Sequence, residues 1–192
     1  SRKSSSGICG SARRAAERCM RFAFWSGEEW ELNGSTAYVA NLSAGERKRI
    51  AAYLNFDMIA SPNHVYGLFG GNGDAADGSA LPGDAGARIR RLFTTAYEDA
   101  GVLWMLVPDE RRSDHAAFAA AGIPFGGLFT GGEELKTDGE ARRWGGTAGA
   151  PYDPCYHQRC DGLSNLNVDA LEVNARVVAS AVHALAMAEG GW

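Results

Sequence analysis

The sequence predicts an α/β fold, with a mixed, mostly parallel sheet held between helical layers. Two observations carry this. Short apolar runs of strand length alternate along the chain with stretches of helical periodicity, the pattern that builds α/β layers. Glycine pairs, as in "FGGNGD" and "RWGGTAGAP", break those runs where loops need positive φ or close backbone approach. The 192 residues suit one domain with one sizeable core, and no internal repeat or linker divides them.

Taken in order, "MRFAFW" (20–25) is an aromatic-rich run of strand length. "EEWELNGSTAYVANL" reads as a helix or a helix and a turn, and "GERKRIAAYL" as a short amphipathic helix. "NFDMIA" (55–60) is a buried strand, "HVYGLFG" (64–70) its expected partner, and "NGDAADGSALPGD" a loop. "ARIRRLFTTAYEDAG" (87–101) is helical, with Ile89, Leu92, Phe93 and Tyr97 on one face and Gly101 as its stop. "VLWMLV" (102–107) is another apolar strand. Ser113 caps a helix over "DHAAFAAAG", which Gly122 ends. "IPFGGLFT" (123–130) is the next strand, and a polar loop runs from 131 to about 165. An amphipathic helix, "NVDALEVNARVVASAVHALAMAE", closes the chain.

Composition narrows the function. A net charge of -4 leaves no basic excess to neutralise phosphates, so no nucleic-acid partner is expected. No apolar run approaches the ~20 residues that cross a bilayer, so no membrane is expected either. The start "SRKSSSGICG" carries no apolar signal segment, as if a targeting peptide were removed or never present.

Three places concentrate chemistry, each at or beyond a strand end, where such sheets collect ligands. "WSGEEW" places Glu28 and Glu29 together, "NFDMIA" holds Asp57, and "PCYHQRC" holds Tyr156 and His157. Adjacent glutamates are common where a helix starts. An aspartate in an apolar strand is not: unpaired, it costs several kcal/mol, so Asp57 needs a cation, a donor or a metal. His64, His115 and His183 fit structural or exposed roles, with His183 packed beside Val178, Val182 and Leu185. Cys155, His157 and Cys160 would need a fourth ligand to hold zinc, and C-x-H-x-x-C is not a familiar zinc spacing. A disulfide between the cysteines is the simpler reading. It would contribute about 2 kcal/mol, fix the Tyr156–His157 backbone and imply an oxidising compartment.

Together these stretches resemble metallopeptidase family twenty-eight, the co-catalytic di-zinc aminopeptidases, especially secreted bacterial leucine-preferring members. "RFAFWSGEEWELNGS" looks like the family's strand followed by Glu-Glu, and "NFDMIASPN" like its Asp strand. "RSDHAAFAAAGIPFGGLFTGGEELKT" and "RWGGTAGAPYDPCYHQRCDGLSNLN" are similar to long segments of its C-terminal half. Residues 20–189 form the recognisable portion of one partial peptidase domain (1–192), and 1–19 are atypical. The resemblance implies a three-layer α/β/α sandwich of the zinc-exopeptidase kind, lacking its N-terminal part, in a secreted protein. It implies release of N-terminal, preferably large apolar, residues from peptides with a free N-terminus. Glu28 would be the general base that deprotonates the attacking water. Glu29 and His157 would bind one zinc and Asp57 the other. Tyr156 would donate to the oxyanion, Arg112 would position substrate, and Met58 and Phe129 would line an apolar pocket. Cys155 and Cys160 would form the disulfide.

The chain also departs from the family pattern. Upstream of Glu-Glu the family places a histidine, on a His-x-Asp motif, and an aspartate that bridges both zincs. Before Glu28 this chain has neither His nor Asp, and Glu17 is its one acidic residue there. "SSSGICGSARRAAERC" matches poorly, with Arg13, Arg14, Arg18, Cys9 and Cys19 foreign to it; the two cysteines pair or stay free. A catalytic zinc normally takes three protein ligands. The expectation is therefore one weakly bound zinc or none, and activity far below the family's. An apolar edge left uncovered would favour aggregation, and a homo-oligomer is one way to cover it. The calcium positions of some members read Glu172 and Arg176, and an arginine repels a cation. Two alternatives remain: a non-catalytic peptide-binding module on this fold, and a glutaminyl-cyclase-like transferase using one zinc.

Overall fold

Period-2 alternation in three short strands sorts the core onto two faces of one sheet. In the computed structural model, which describes residues 5–8, 19–70 and 85–188, these are β3 (Tyr53–Phe56), β4 (Gly67–Gly70) and β6 (Phe125–Phe129). Leu54, Phe56, Leu68 and Leu128 point to one face and pack with Ile89, Phe93, Tyr97, Val177 and Ala181. Tyr53, Phe69, Phe125 and Phe129 point to the other, and Phe118 and Ala119 meet them there. Alternate residues of a strand face opposite sides, so this pattern requires a helical layer on each.

The first layer is α3 (Ala85–Asp99) with α6 (Val168–Met187). Its anchor is polar as well as apolar. Fully buried Tyr97 donates its hydroxyl proton to Asn174 Oδ1 at 2.6 Å, and Asn174 Nδ2 donates to the Ile59 carbonyl at 2.8 Å. Neither buried polar group is left unpaired, which would cost about 1–3 kcal/mol. The opposite layer is α1 (Asn33–Ala40) and α4 (His115–Ala120). A short α2 (Ala44–Arg49), with a Ser43–Glu46 capping box, leads into β3.

With β5 (Met105–Leu106), the sheet runs β3-β6-β4-β5. The β3–β6 and β4–β5 pairs are parallel and β4–β6 is antiparallel. The predicted three-layer, mixed and mostly parallel architecture is therefore present. Several details differ from the sequence reading. The run 64–70 does not pair with 55–60, because β6 lies between them. The run 20–25 is not a core strand: β2 (Met20–Ala23) pairs antiparallel with β1 (Ser5–Ile8) in a separate sheet, and Phe22 and Phe24 are exposed. Strand β3 begins two residues earlier than "NFDMIA", so Asp57 follows it rather than lying in it. Ser113 is not a cap; Asp114 precedes α4 without a side-chain capping bond. His183 is exposed, since α6 turns Ala181 and Ala186 inward instead.

Helix α6, at 20 residues, is long and apolar enough by length and composition to cross a membrane. Here it buries Ala170, Val177 and Ala181 on the core and exposes Asp169, Glu172 and Arg176. Glu172 and Arg176 pair with each other at 2.5 Å, which uses both of the positions considered for calcium. The polar stretch from 131 is more ordered than a plain loop, holding α5 (Asp138–Trp144, capped by Thr137 and Glu140) and a short 3-10 turn at Leu163–Asn165. Cys19 is disulfide-bonded. The expected loop 72–84, Cys9 and the arginines at 13, 14 and 18 lie outside the described residues.

Candidate functional site

The three chemistry-bearing stretches, scattered across 133 positions from Trp25 to His157, meet beyond the end of β3. Gly27, at φ 71, turns the chain after Trp25, and its carbonyl accepts from Trp30 N and Asn33 N. That turn presents Glu28 and Glu29 side by side. Asp57 follows β3, and Met58 after it takes φ 55, a left-handed conformation uncommon for a non-glycine residue. His157 also has positive φ (56). It sits between Cys155 and Cys160, which form the disulfide, with Cα atoms 5.4 Å apart. Strain of this kind persists where surrounding structure holds it, and His157 takes it inside the loop that the disulfide closes.

His157 Nε2 lies 2.9 Å from Glu29 Oε1, and both groups are more than half exposed. Tyr156 stacks on the His157 ring with centroids 3.9 Å apart. Burial first, and then the Glu133 charge, raise the Tyr156 pKa, so its hydroxyl keeps its proton and remains a donor. Glu28 is pushed up to about 7, by burial first and then by the carboxylates of Asp57, Glu29 and Asp114, against the opposing influence of His157. A carboxyl poised near neutrality suits general-base work. Asp57 finds the donor the sequence demanded: Ser113 Oγ donates to its Oδ2 at 2.7 Å. Met58 Sδ and Phe129 Cζ both lie within 4 Å of the position a Cβ on Gly132 would take, so these two side chains form one apolar corner.

Arg112 is engaged with protein rather than free: it pairs with Glu133 at 2.7 Å and Glu110 at 3.6 Å. Glu133 and Asp114 were not anticipated. Glu133 lies in a second Glu-Glu pair, "GGEEL", the signal that would have found it. Asp114 is buried and hydrogen-bonded to Ser35, and burial first and then Asp57 raise its pKa. Beside it, Asp109 accepts from His115 Nε2 (2.7 Å), Arg111 Nε (2.7 Å) and the Arg111 amide (3.1 Å). Burial alone would raise the Asp109 pKa; the hydrogen bond and charge of His115, with Arg111, outweigh it and hold the carboxyl below its ordinary 3.8. A depressed carboxyl stabilises above its unfolded pKa and loses that contribution as pH falls through its folded one. Wild-type stability should therefore fall as pH drops below about 4, and Asp109→Asn should flatten that limb in urea denaturation.

Carboxylate oxygen and imidazole nitrogen are donors zinc accepts, and in Glu29 and His157 they converge. They are two, where a catalytic zinc takes three protein ligands. Among the described residues no group of three or more His, Cys, Asp or Glu side chains comes together to hold a metal. The pair fits zinc as part of a site and does not complete one.

The chain matches Peptidase family M28 over residues 8–182. The chain belongs to that family. Among its relatives, an aminopeptidase of Pseudomonas aeruginosa (strain UCBPP-PA14) is 49% identical over 160 residues, covering 83% of this chain and 30% of the relative. A probable leucine aminopeptidase 2 of Aspergillus oryzae is 42% identical over 168 residues, covering 88% and 34%. The solved structure of a zinc aminopeptidase from Bacillus subtilis superposes with TM-score 0.69 at 24% identity, over 91% of this chain and 38% of that one. At that identity the likeness speaks to the M28 fold. The chain thus spans about a third of the length of the M28 relatives it matches.

Proposed function

We propose that this chain carries part of the catalytic site of a secreted, zinc-dependent aminopeptidase that releases large apolar N-terminal residues. The observation that supports it most is the setting of Glu28, gathered with Asp57, Glu29 and Asp114 and held at about 7. Glu29 and His157 would hold one zinc, with Asp57 as a ligand to a second; when bound, the metal polarises the scissile carbonyl and acidifies water. Glu28 takes the proton of the attacking water and passes it to the leaving amine. Tyr156, kept protonated, donates to the developing oxyanion. The Met58–Phe129 corner receives the apolar side chain, and the surrounding carboxylates favour a free α-ammonium group. Glu29 and His157 supply two of the three protein ligands that a catalytic zinc takes. The Cys155–Cys160 disulfide supports an oxidising, extracellular setting.

The incomplete ligand set favours a second reading, a peptide-binding module without catalysis. Hydrolysis of a leucyl chromogenic amide by the zinc-loaded chain separates the two. The proposal expects slow turnover that Glu28→Ala lowers by about 10²–10⁴-fold. Equal rates in both proteins, with measurable affinity for peptides bearing a free N-terminus, would support the module instead. Cyclisation of an N-terminal glutamine peptide would point to the transferase.

A further inference from the structure

Four hydrogen bonds join the Glu28 segment to Asp57 through side chains that carry no charge. Trp25 Nε1 donates to the Tyr53 hydroxyl at 2.9 Å. Tyr53 OH donates to Asn55 Oδ1 at 3.0 Å. Asn55 Nδ2 donates to Ser113 Oγ at 3.0 Å. Ser113 Oγ donates to Asp57 Oδ2 at 2.7 Å. The middle of the chain is enclosed: Asn55 is 4% exposed, and Tyr53 lies flat on Phe118 with centroids 3.8 Å apart.

The two ends fix the direction of every proton between them. An indole N–H only donates, and an ionised carboxylate only accepts. Tyr53, which receives the Trp25 proton, must spend its own on Asn55. Were the Asn55 amide turned over, Ser113 would have to donate to it. The serine would then set a lone pair against Asp57 at 2.7 Å. Only one arrangement satisfies all five groups, and hydrogen bonds aligned head to tail polarise one another. Burial raises the Tyr53 pKa beyond the ordinary phenol value, so its link stays protonated.

Resting on the reading of Asp57 as a metal-binding carboxylate, we infer that Trp25, Tyr53, Asn55 and Ser113 form a one-way relay that fixes the rotation of the Asp57 side chain. Ser113, Asn55 and Tyr53 are then positioning residues, acting through Asp57 without touching substrate. The relay also explains its strand placement. Tyr53 and Asn55 share the α4 face of β3, where Ser113 arrives two residues before α4. Asp57 follows the strand end on the same odd-numbered parity. A carboxylate with one oxygen tied to a fixed hydroxyl has one orientation, and partners of this kind set the affinity of the ligand they hold.

The test uses the whole chain, labelled with ¹⁵N, with the Trp25 indole N–H resonance assigned by Trp25→Phe. Ser113→Ala should shift that resonance, three hydrogen bonds away, and weaken binding of cobalt(II) by about 10- to 100-fold. Ser113→Thr, which keeps the hydroxyl, should restore both. Asn55→Asp keeps the shape and the acceptor but loses the donor, and should behave like Ser113→Ala. In urea denaturation the Tyr53→Phe, Ser113→Ala double variant should lose little more than the worse single variant, since either change breaks the same chain. An unmoved Trp25 resonance in Ser113→Ala, with strictly additive losses, would overturn the relay. Asp57→Asn separates the underlying reading: unchanged cobalt affinity alongside a responsive Trp25 would remove Asp57 as a ligand and leave the hydrogen-bond chain standing.

Discussion

Gly127→Ala is expected to destabilise the fold by about 3 kcal/mol or more, the upper end of what overpacking does. The added methyl would stand 2.1 Å from the Asn55 carbonyl oxygen and 2.6 Å from Phe69 Cζ. Phe69 can turn aside; a backbone carbonyl in a ladder cannot. Asn55 and Gly127 are register partners in the parallel β3–β6 pair, so relief means separating β3 from β6, its one strand partner among the described residues. Asn55 also carries the relay to Asp57, so the damage reaches the site. Gly45→Ala is the contrasting substitution. Nothing lies within 4 Å of its Cβ position, and it sits inside α2. There alanine should be neutral or stabilising by about 0.4–1 kcal/mol. Urea midpoints of the two variants against wild type measure both effects.

That contrast shows what could be read from the chain. The strand-length apolar runs at 55–60 and 123–130 and the helical face of Ile89, Phe93 and Tyr97 lie in local spacing, so the layers were legible, although Tyr53 and Leu54 read as the end of a helix and form the start of β3 instead. Partner choice was not: nothing local tells 64–70 to lie beside β6 rather than β3, because strand order is decided by how the helices cover both faces. The run 20–25 looks like a core strand because apolar content is all a short window reports. At the site, Asp57 announced its need for a donor, but Ser113, 56 positions away, could not be named as that donor from the sequence. Asp114 was hidden for a similar reason. With Ser113 read as the cap, Asp114 passes for an ordinary first-turn aspartate, and only the fold shows it buried beside Ser35 and Asp57.

Asn63→Ala should cost about 2–3 kcal/mol, at roughly 1 kcal/mol for each net hydrogen bond lost, and should loosen His157 although the two side chains are far apart in sequence. Asn63 Nδ2 donates to the carbonyls of Thr147 (2.9 Å), Pro151 (3.1 Å) and Ala150 (3.3 Å), while its Oδ1 accepts from Thr147 N (2.9 Å). Gly146 makes this approach feasible: at φ 81 it favours glycine, and a Cβ there would meet Asn63 Oδ1 at 2.1 Å. Next to it, Lys136, 2% exposed, donates to the His64 carbonyl at 2.7 Å. The Asn63 backbone N–H also donates to the Tyr152 carbonyl at 2.9 Å. One residue further on, Asp153 accepts from the Cys155 amide (2.9 Å) and Asn165 Nδ2 (2.7 Å). The route from Asn63 to the disulfide is thus a continuous set of polar ties to the segment that presents His157. With Asn63 truncated, amide exchange across 147–160 should accelerate while α3 and α6 stay protected, the signature of local rather than global opening. Asn63→Asp keeps the acceptor for Thr147 N–H but sets a carboxylate against three carbonyls, so it should lose at least as much. Uniform acceleration throughout the chain would mean that Asn63 supports the whole core and not this segment in particular.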